Sequence, residues 1–122
     1  IGSSAANTLV GNSASNSLKG LAGSDRLEGR AGQDRLSGGA GDDTLVGGEG
    51  VDIFAFAKGD GADVITDFVA GKGGERVEVS GYTAWAFVRQ QGSDTLVSFG
   101  SDSVLLKGVK AGTLATDDFI FI

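Results

Sequence analysis

Residues 38–54 read GGAGDDTLVGGEGVDIF, two short segments of the same design. Each opens on glycines that carry no side-chain mass, reaches an Asp at its sixth position (Asp43, Asp52) and places one large apolar residue two positions later (Leu45, Phe54). Writing the chain in nines from Gly2 extends this design in both directions: GSSAANTLV, GNSASNSLK, GLAGSDRLE, GRAGQDRLS, GGAGDDTLV and GGEGVDIFA, in unbroken register to Ala55. The apolar slot holds Leu9, Leu18, Leu27, Leu36, Leu45 and Phe54; the sixth position holds Asn7, Asn16, Asp25, Asp34, Asp43 and Asp52. Acidic character therefore strengthens toward the C-terminus. The first two units also carry Ala5 and Ala14 where later ones carry a fourth-position Gly.

A nine-residue unit cannot bury its apolar residue alone, so units at a fixed period must stack into a solenoid. The pattern predicts a six-residue turn and a three-residue strand whose middle side chain points inward. Two turns and two strands close one coil, which sets residue i beneath residue i+18: Asp25 beneath Asp43 on one edge, Asp34 beneath Asp52 on the other. Stacked strands lie about 4.8 Å apart, and carboxylates in columns at that spacing repel. One apolar residue per unit is also a thin return for ordering a glycine-rich backbone. A hard divalent cation answers both demands, and calcium suits six to eight oxygen ligands in loose geometry. Glycine lets the turns adopt left-handed backbone and aim their carbonyls inward, and the Asp closes the cage.

Composition narrows the chemistry further. The chain has 122 residues, 22 of them Gly, with no Pro, Cys, His or Met, which removes disulfides, thiolates, imidazole bases and soft-metal ligands. Sixteen acidic against ten basic residues give a net charge of -6, suited to cations and ill suited to nucleic acid. No apolar run reaches membrane-spanning length, and the first residues have no signal-peptide pattern. The expected origin is the C-terminal part of a larger protein.

The units resemble the RTX calcium-binding nonapeptide, GGxGxDxUx: GGAGDDTLV matches at every fixed position, GGEGVDIFA has Phe54 in the apolar slot, and GLAGSDRLE and GRAGQDRLS lack only the second Gly. The resemblance implies an all-β, right-handed parallel β-roll over residues 1–55, closed by an antiparallel β cap over residues 56–122, the two forming one cooperative module. It implies one calcium site from Leu21, Gly23 and Asp25 with Gly38, Ala40 and Asp43, and another from Arg30, Gly32 and Asp34 with Gly47, Glu49 and Asp52. Weaker sites join Asn7 to Asp25 and Asn16 to Asp34, for about four ions in all. After Ala55, the D-x-I-x-DF segment (Asp63, Ile65, Asp67, Phe68) resembles the sequence following the last repeat in RTX C-terminal regions, which implies that Asp63 completes a last site near Asp43. Glu75 and Arg76 stand where relatives carry Asp-Lys, leaving that position without an inherited role. The alternating run from Ala84 to Val109 reads as antiparallel hairpins.

The tail TDDFIFI resembles the terminus of bacterial type I secretion substrates, and also reads as a final strand. The implied role is a calcium-triggered module of a secreted, extracellular protein of a Gram-negative bacterium, supporting export and an upstream domain. Asp42 beside Asp43 fits a metal turn better than an acid/base pair, and no nucleophile and base constellation marks an enzyme. Tyr82 and Trp85 read as core, and GKGGER, around Lys72, as a turn. Lys19, Arg26, Arg30 and Arg35 fall on outward positions. They serve solubility or form a track for an anionic polysaccharide, as in the similar R-modules of mannuronan C5-epimerases. About four bound calcium ions would add about +8 and turn the module mildly positive.

Overall fold

The computed structural model describes residues 5–68, 75–81, 87–99, 102–114 and 118–121; Lys72, Tyr82 and Trp85 lie outside them. Strands β1 (Thr8–Val10), β2 (Ser17–Lys19), β3 (Arg26–Glu28), β4 (Arg35–Ser37) and β5 (Thr44–Val46) each span three residues, the length the pattern predicts. They pair in parallel at an offset of 18, with Thr8 opposite Arg26, Ser17 opposite Arg35, Arg26 opposite Thr44 and Arg35 opposite Ile53. Odd strands consequently build one sheet and even strands the other, and the chain winds between them as a β-roll. The middle residue of each strand turns inward: Leu27, Leu36, Leu45 and Phe54 are fully buried, while Leu9 and Leu18, at the end where no coil lies beneath, are half-buried.

The stack runs on past Ala55. Strand β6 (Ile53–Ala57) lengthens to five residues, and β7 (Ala62–Ile65) pairs in parallel with β5 at an offset of 20, Thr44 opposite Val64. Residues 58–66, KGDGADVIT, thus form a further x-G-x-G-x-D-x-U-x unit displaced by two residues, with Ile65 buried in the apolar slot. On the even side β8 (Arg76–Ser80) pairs with β6, and β12 (Phe119–Phe121) with β8, both in parallel. The tail therefore supplies a strand, and its Phe119 is core. Strands β9 (Phe87–Gln91), β10 (Asp94–Phe99) and β11 (Asp102–Leu106) are the expected antiparallel hairpins. Strand β11 joins β7 in parallel, so the hairpins extend one sheet. The result is a seven-stranded sheet, β1-β3-β5-β7-β11-β10-β9, and a five-stranded sheet, β12-β8-β6-β4-β2. Toward this end the leucine column gives way to rings: Phe54 meets Phe68 edge-on at 6.1 Å, Phe119 lies 6.5 Å from Phe68, and Phe99 lies 6.1 Å from Phe119. Among the described residues, no helix is long and apolar enough to cross a membrane.

The turns demand left-handed backbone at their second and fourth positions. Gly39 (φ 82°) and Gly41 (φ 107°) satisfy this, and a Cβ on either would strike the Leu21 or Gly23 carbonyl of the coil below. The units lacking the second Gly keep the same geometry with Leu21 (φ 75°) and Arg30 (φ 69°), an arrangement that costs roughly 1–2 kcal/mol per residue. Leu21→Gly should raise stability by about 0.5–1 kcal/mol, the relieved strain less the entropy glycine adds to the unfolded chain. Gly41→Ala should lower it by more than about 1 kcal/mol. Denaturant unfolding of the calcium-saturated protein measures both; a less stable Leu21→Gly variant would show that the turn carries no strain there.

Candidate metal centre

The sixth-position side chains form two columns: Asn7, Asp25, Asp43 and Asp63 on one edge, Asn16, Asp34 and Asp52 on the other. Each Asp divides its two oxygens. Its Oδ1 accepts the backbone N–H of the sixth-position residue in the coil beneath: Asn7 to Asp25 at 2.7 Å, Asp25 to Asp43 at 2.8 Å, Asp43 to Asp63 at 2.8 Å, Asn16 to Asp34 at 2.8 Å, and Asp34 to Asp52 at 2.9 Å. Its Oδ2 has a different fate. In Asp25, Asp34, Asp43 and Asp52, which are only 3, 2, 1 and 0 % exposed, this oxygen is buried with no hydrogen-bond partner. Leaving one ionised carboxylate oxygen so is costly, and four in register point to a common missing partner.

Carbonyls gather at the same points. A Cβ placed on Gly20 would lie 2.5 Å from Asp25 Oδ2 and 2.6 Å from the Gly38 carbonyl, so these two oxygens share the space beside Gly20. Beside Gly29 the same holds for Asp34 Oδ2 (2.6 Å) and the Gly47 carbonyl (2.8 Å). The Leu21 and Gly23 carbonyls face Gly39 and Gly41 of the next coil, and those of Arg30 and Gly32 face Gly48 and Gly50. Ala40 and Glu49 sit at the exposed third positions of these turns. No three acidic side chains converge tightly enough to hold an ion by themselves among the described residues. The donor set is therefore carboxylate oxygens supplemented by carbonyls, the mixture a hard cation of the calcium type accepts.

The lower end is wired differently. Asn16 Oδ1 accepts the Asn12 N–H of its own turn at 2.9 Å, Asn12 Oδ1 accepts the Ala14 N–H at 2.9 Å, and Ser15 Oγ accepts the Gln33 N–H at 3.3 Å. At the other end, carboxylates close the last turns. Asp67 accepts the Gly47 and Gly48 N–H groups at 2.9 and 2.7 Å, and Asp102 those of Gly59 and Gly61 at 2.9 and 3.0 Å. Asp42 is occupied in the same way, by the Ala62 N–H at 3.0 Å. The seventh unit was hidden from a count in nines by its two-residue displacement, although its G-x-G-x-D spacing is intact. Glu75, the residue before Arg76, is buried. It continues the even column in register, since the Arg76 N–H bonds the Asp52 carbonyl at 3.2 Å.

The basic candidates separate. Lys19 and Arg35 lie on the outer face of the five-stranded sheet, Arg26 on the seven-stranded sheet with Glu28 at 2.9 Å, and Arg30 in an exposed turn.

Burial pushes Asp43 and Asp52 up to about 6 and Asp63 up to about 8, with neighbouring carboxylates adding to the rise, and burial also raises Asp34. The unfolded chain releases these protons first, near the model value of 3.8. Without metal, the fold therefore loses stability as pH rises from about 4 toward about 8 and levels off above. A cation displaces the same protons, so its apparent affinity should climb across that window. Calcium titrations followed by circular dichroism at about pH 5 and about pH 8 should give a much lower midpoint at the higher pH. Equal midpoints would separate the ion from these carboxylates.

The RTX calcium-binding nonapeptide repeat model matches residues 1–36, 20–54 and 28–65, together spanning residues 1–65 of 122. No curated protein matches the chain by sequence. Among solved structures, the AlgE6R3 subunit of the Azotobacter vinelandii mannuronan C5-epimerase is similar at 32% identity and a TM-score of 0.77, over 98% of this chain and 80% of that one. The AlgE6R2 subunit of the same enzyme is 28% identical, with a TM-score of 0.68 over 93% and 91% of the two chains. The extracellular lipase LipA of Serratia marcescens shares the fold at 24% identity and a TM-score of 0.73; the match covers 94% of this chain and 21% of the lipase. The nine-residue beat, the stacked turns and the family model agree, and the chain belongs to the RTX calcium-binding nonapeptide repeat family.

Proposed function

We propose that this chain is a non-catalytic module that folds on calcium outside a bacterial cell and supports the export and stability of a domain attached upstream. The observation that carries the reading is the set of four buried carboxylate oxygens without a hydrogen-bond partner. In this reading Asp25, Asp34, Asp43, Asp52 and Asp63 hold calcium together with the carbonyls of Leu21, Gly23, Gly38, Ala40, Arg30, Gly32, Gly47 and Glu49. Asn7 and Asn16 contribute at the lower end. The ion supplies the positive charge that offsets stacked carboxylates. Asp67 and Asp102 hold the last turns in shape from the cap. Sites of extracellular type, with dissociation constants of about 10⁻⁴ to 10⁻³ M, stay empty in the cytosol and fill outside, so a chain exported unfolded would fold on arrival. Likeness to an extracellular lipase supports the location.

A second, compatible reading is binding of an anionic polysaccharide such as alginate, supported by likeness to the R-modules of a mannuronan C5-epimerase and by outward basic residues.

Far-ultraviolet circular dichroism should move from largely disordered in EDTA to β-rich in millimolar calcium, with magnesium ineffective because it demands stricter geometry. A fully folded spectrum in EDTA would sink the folding claim. Asp43→Ala should raise the calcium midpoint strongly, because its two oxygens serve adjacent coils, and Asn7→Ala should change it little. Equal costs in calorimetry would refute the ligand scheme.

A further inference from the structure

We infer that the outer face of the five-stranded sheet is a binding surface for a linear polyuronate, with Arg35 and Arg76 as its carboxylate contacts, Ile53 as the apolar floor between them and Glu78 as a competing carboxylate. The inference rests on the polysaccharide reading above and redraws its site.

Register places the residues. Ser17, Arg35, Ile53 and Arg76 lie opposite one another across β2, β4, β6 and β8, and Lys19, Ser37, Ala55 and Glu78 form the adjoining row. Arg35 and Arg76 thus stand two strands apart, roughly 9.6 Å at ordinary strand spacing. A chain of sugars laid across the strands advances about one strand spacing per pyranose ring, so it would offer a carboxylate to a guanidinium at every second ring. Ile53 meets the C–H face of the ring in between. Side chains already form the trough: a groove of about 310 Å³ is bounded by Asn16, Gln33, Arg35, Val51, Ile53 and Arg76, whose amides suit sugar hydroxyls. A second groove of about 180 Å³ continues past Arg35 over the small residues Ser37, Ala55, Ala57 and Ser80. Arg76 is exposed with no ion pair among the described residues, whereas Arg35 is held by Glu78 at 2.6 Å, which a ligand carboxylate must displace. Arg26 lies on the opposite sheet and cannot join this row.

Charge complementarity selects a carboxylated glycan over nucleic acid. The face offers three cations, Lys19, Arg35 and Arg76, against Glu78, on a chain of net charge -6, and its rows contain no aromatic platform for bases.

The test uses calcium-loaded protein, mannuronate oligomers of graded length and carboxyl-reduced oligomers of equal length, followed by NMR shifts. Shifts should gather on β4, β6 and β8, fade with salt and vanish with the reduced oligomers. Arg35→Gln and Arg76→Gln should each weaken binding roughly two- to fivefold, Glu78→Gln should tighten it to a similar degree, and Arg26→Gln should leave it unchanged. All four side chains are solvent-facing, and unchanged circular dichroism verifies folding. Loss in Arg26→Gln with retention in Arg35→Gln and Arg76→Gln would overturn this face while leaving the polysaccharide reading standing. Absence of any shift in the unaltered protein at low salt would end both. Tighter binding of single-stranded DNA than of mannuronate at these residues would overturn the choice of ligand.

Discussion

The fold depends on the divided duty of one side chain. Each buried Asp gives one oxygen to a backbone N–H in the coil beneath and keeps the other for a partner the polypeptide does not supply. The first bond sets the stacking register, because it reaches the residue 18 positions earlier and no other. The second oxygen makes that register expensive until a cation arrives. Order and metal dependence are therefore two properties of the same carboxylate, and neither can be removed by substitution without disturbing the other.

Much of this was legible in the sequence because a solenoid is local: strand length, coil size and the two columns all follow from one period. Asp25 and Asp43 could be stacked on paper, and the Asp25 amide does bond Asp43 Oδ1. Features that depend on chain passing between distant segments were not legible. The displaced unit at residues 58–66 keeps its glycine and Asp spacing, yet its membership in the stack shows only when Val64 is seen opposite Thr44. Asp67 and Asp102 look like ordinary loop acids until each is found across two N–H groups of a turn about 20 or about 40 residues earlier. Sidedness also escaped the sequence. Arg26 and Arg35 are one unit apart and read as neighbours, but a half coil puts them on opposite sheets.

Ending a solenoid is a separate physical problem, since the last coil exposes both an apolar interior and unpaired strand edges. The two ends solve it unequally. At the cap end, Phe54, Phe68, Phe99 and Phe119 fill the interior and two carboxylates satisfy the open turns. At the other end Leu9 and Leu18 remain half-buried, and side-chain amides of Asn12 and Asn16 tie up turn N–H groups that no lower coil meets.

The alternation of strands between sheets also imposes a parity rule. Because one coil contains two repeats, gain or loss of a single nonapeptide would transfer every later strand to the opposite sheet and deliver the displaced β7 to an edge where neither β11 nor the Asp102 clamp awaits it. Gain or loss of two would leave each strand on its own sheet and the cap undisturbed. The heritable unit of length in such a roll is thus the pair, and repeat number can drift only in steps that preserve evenness between the caps.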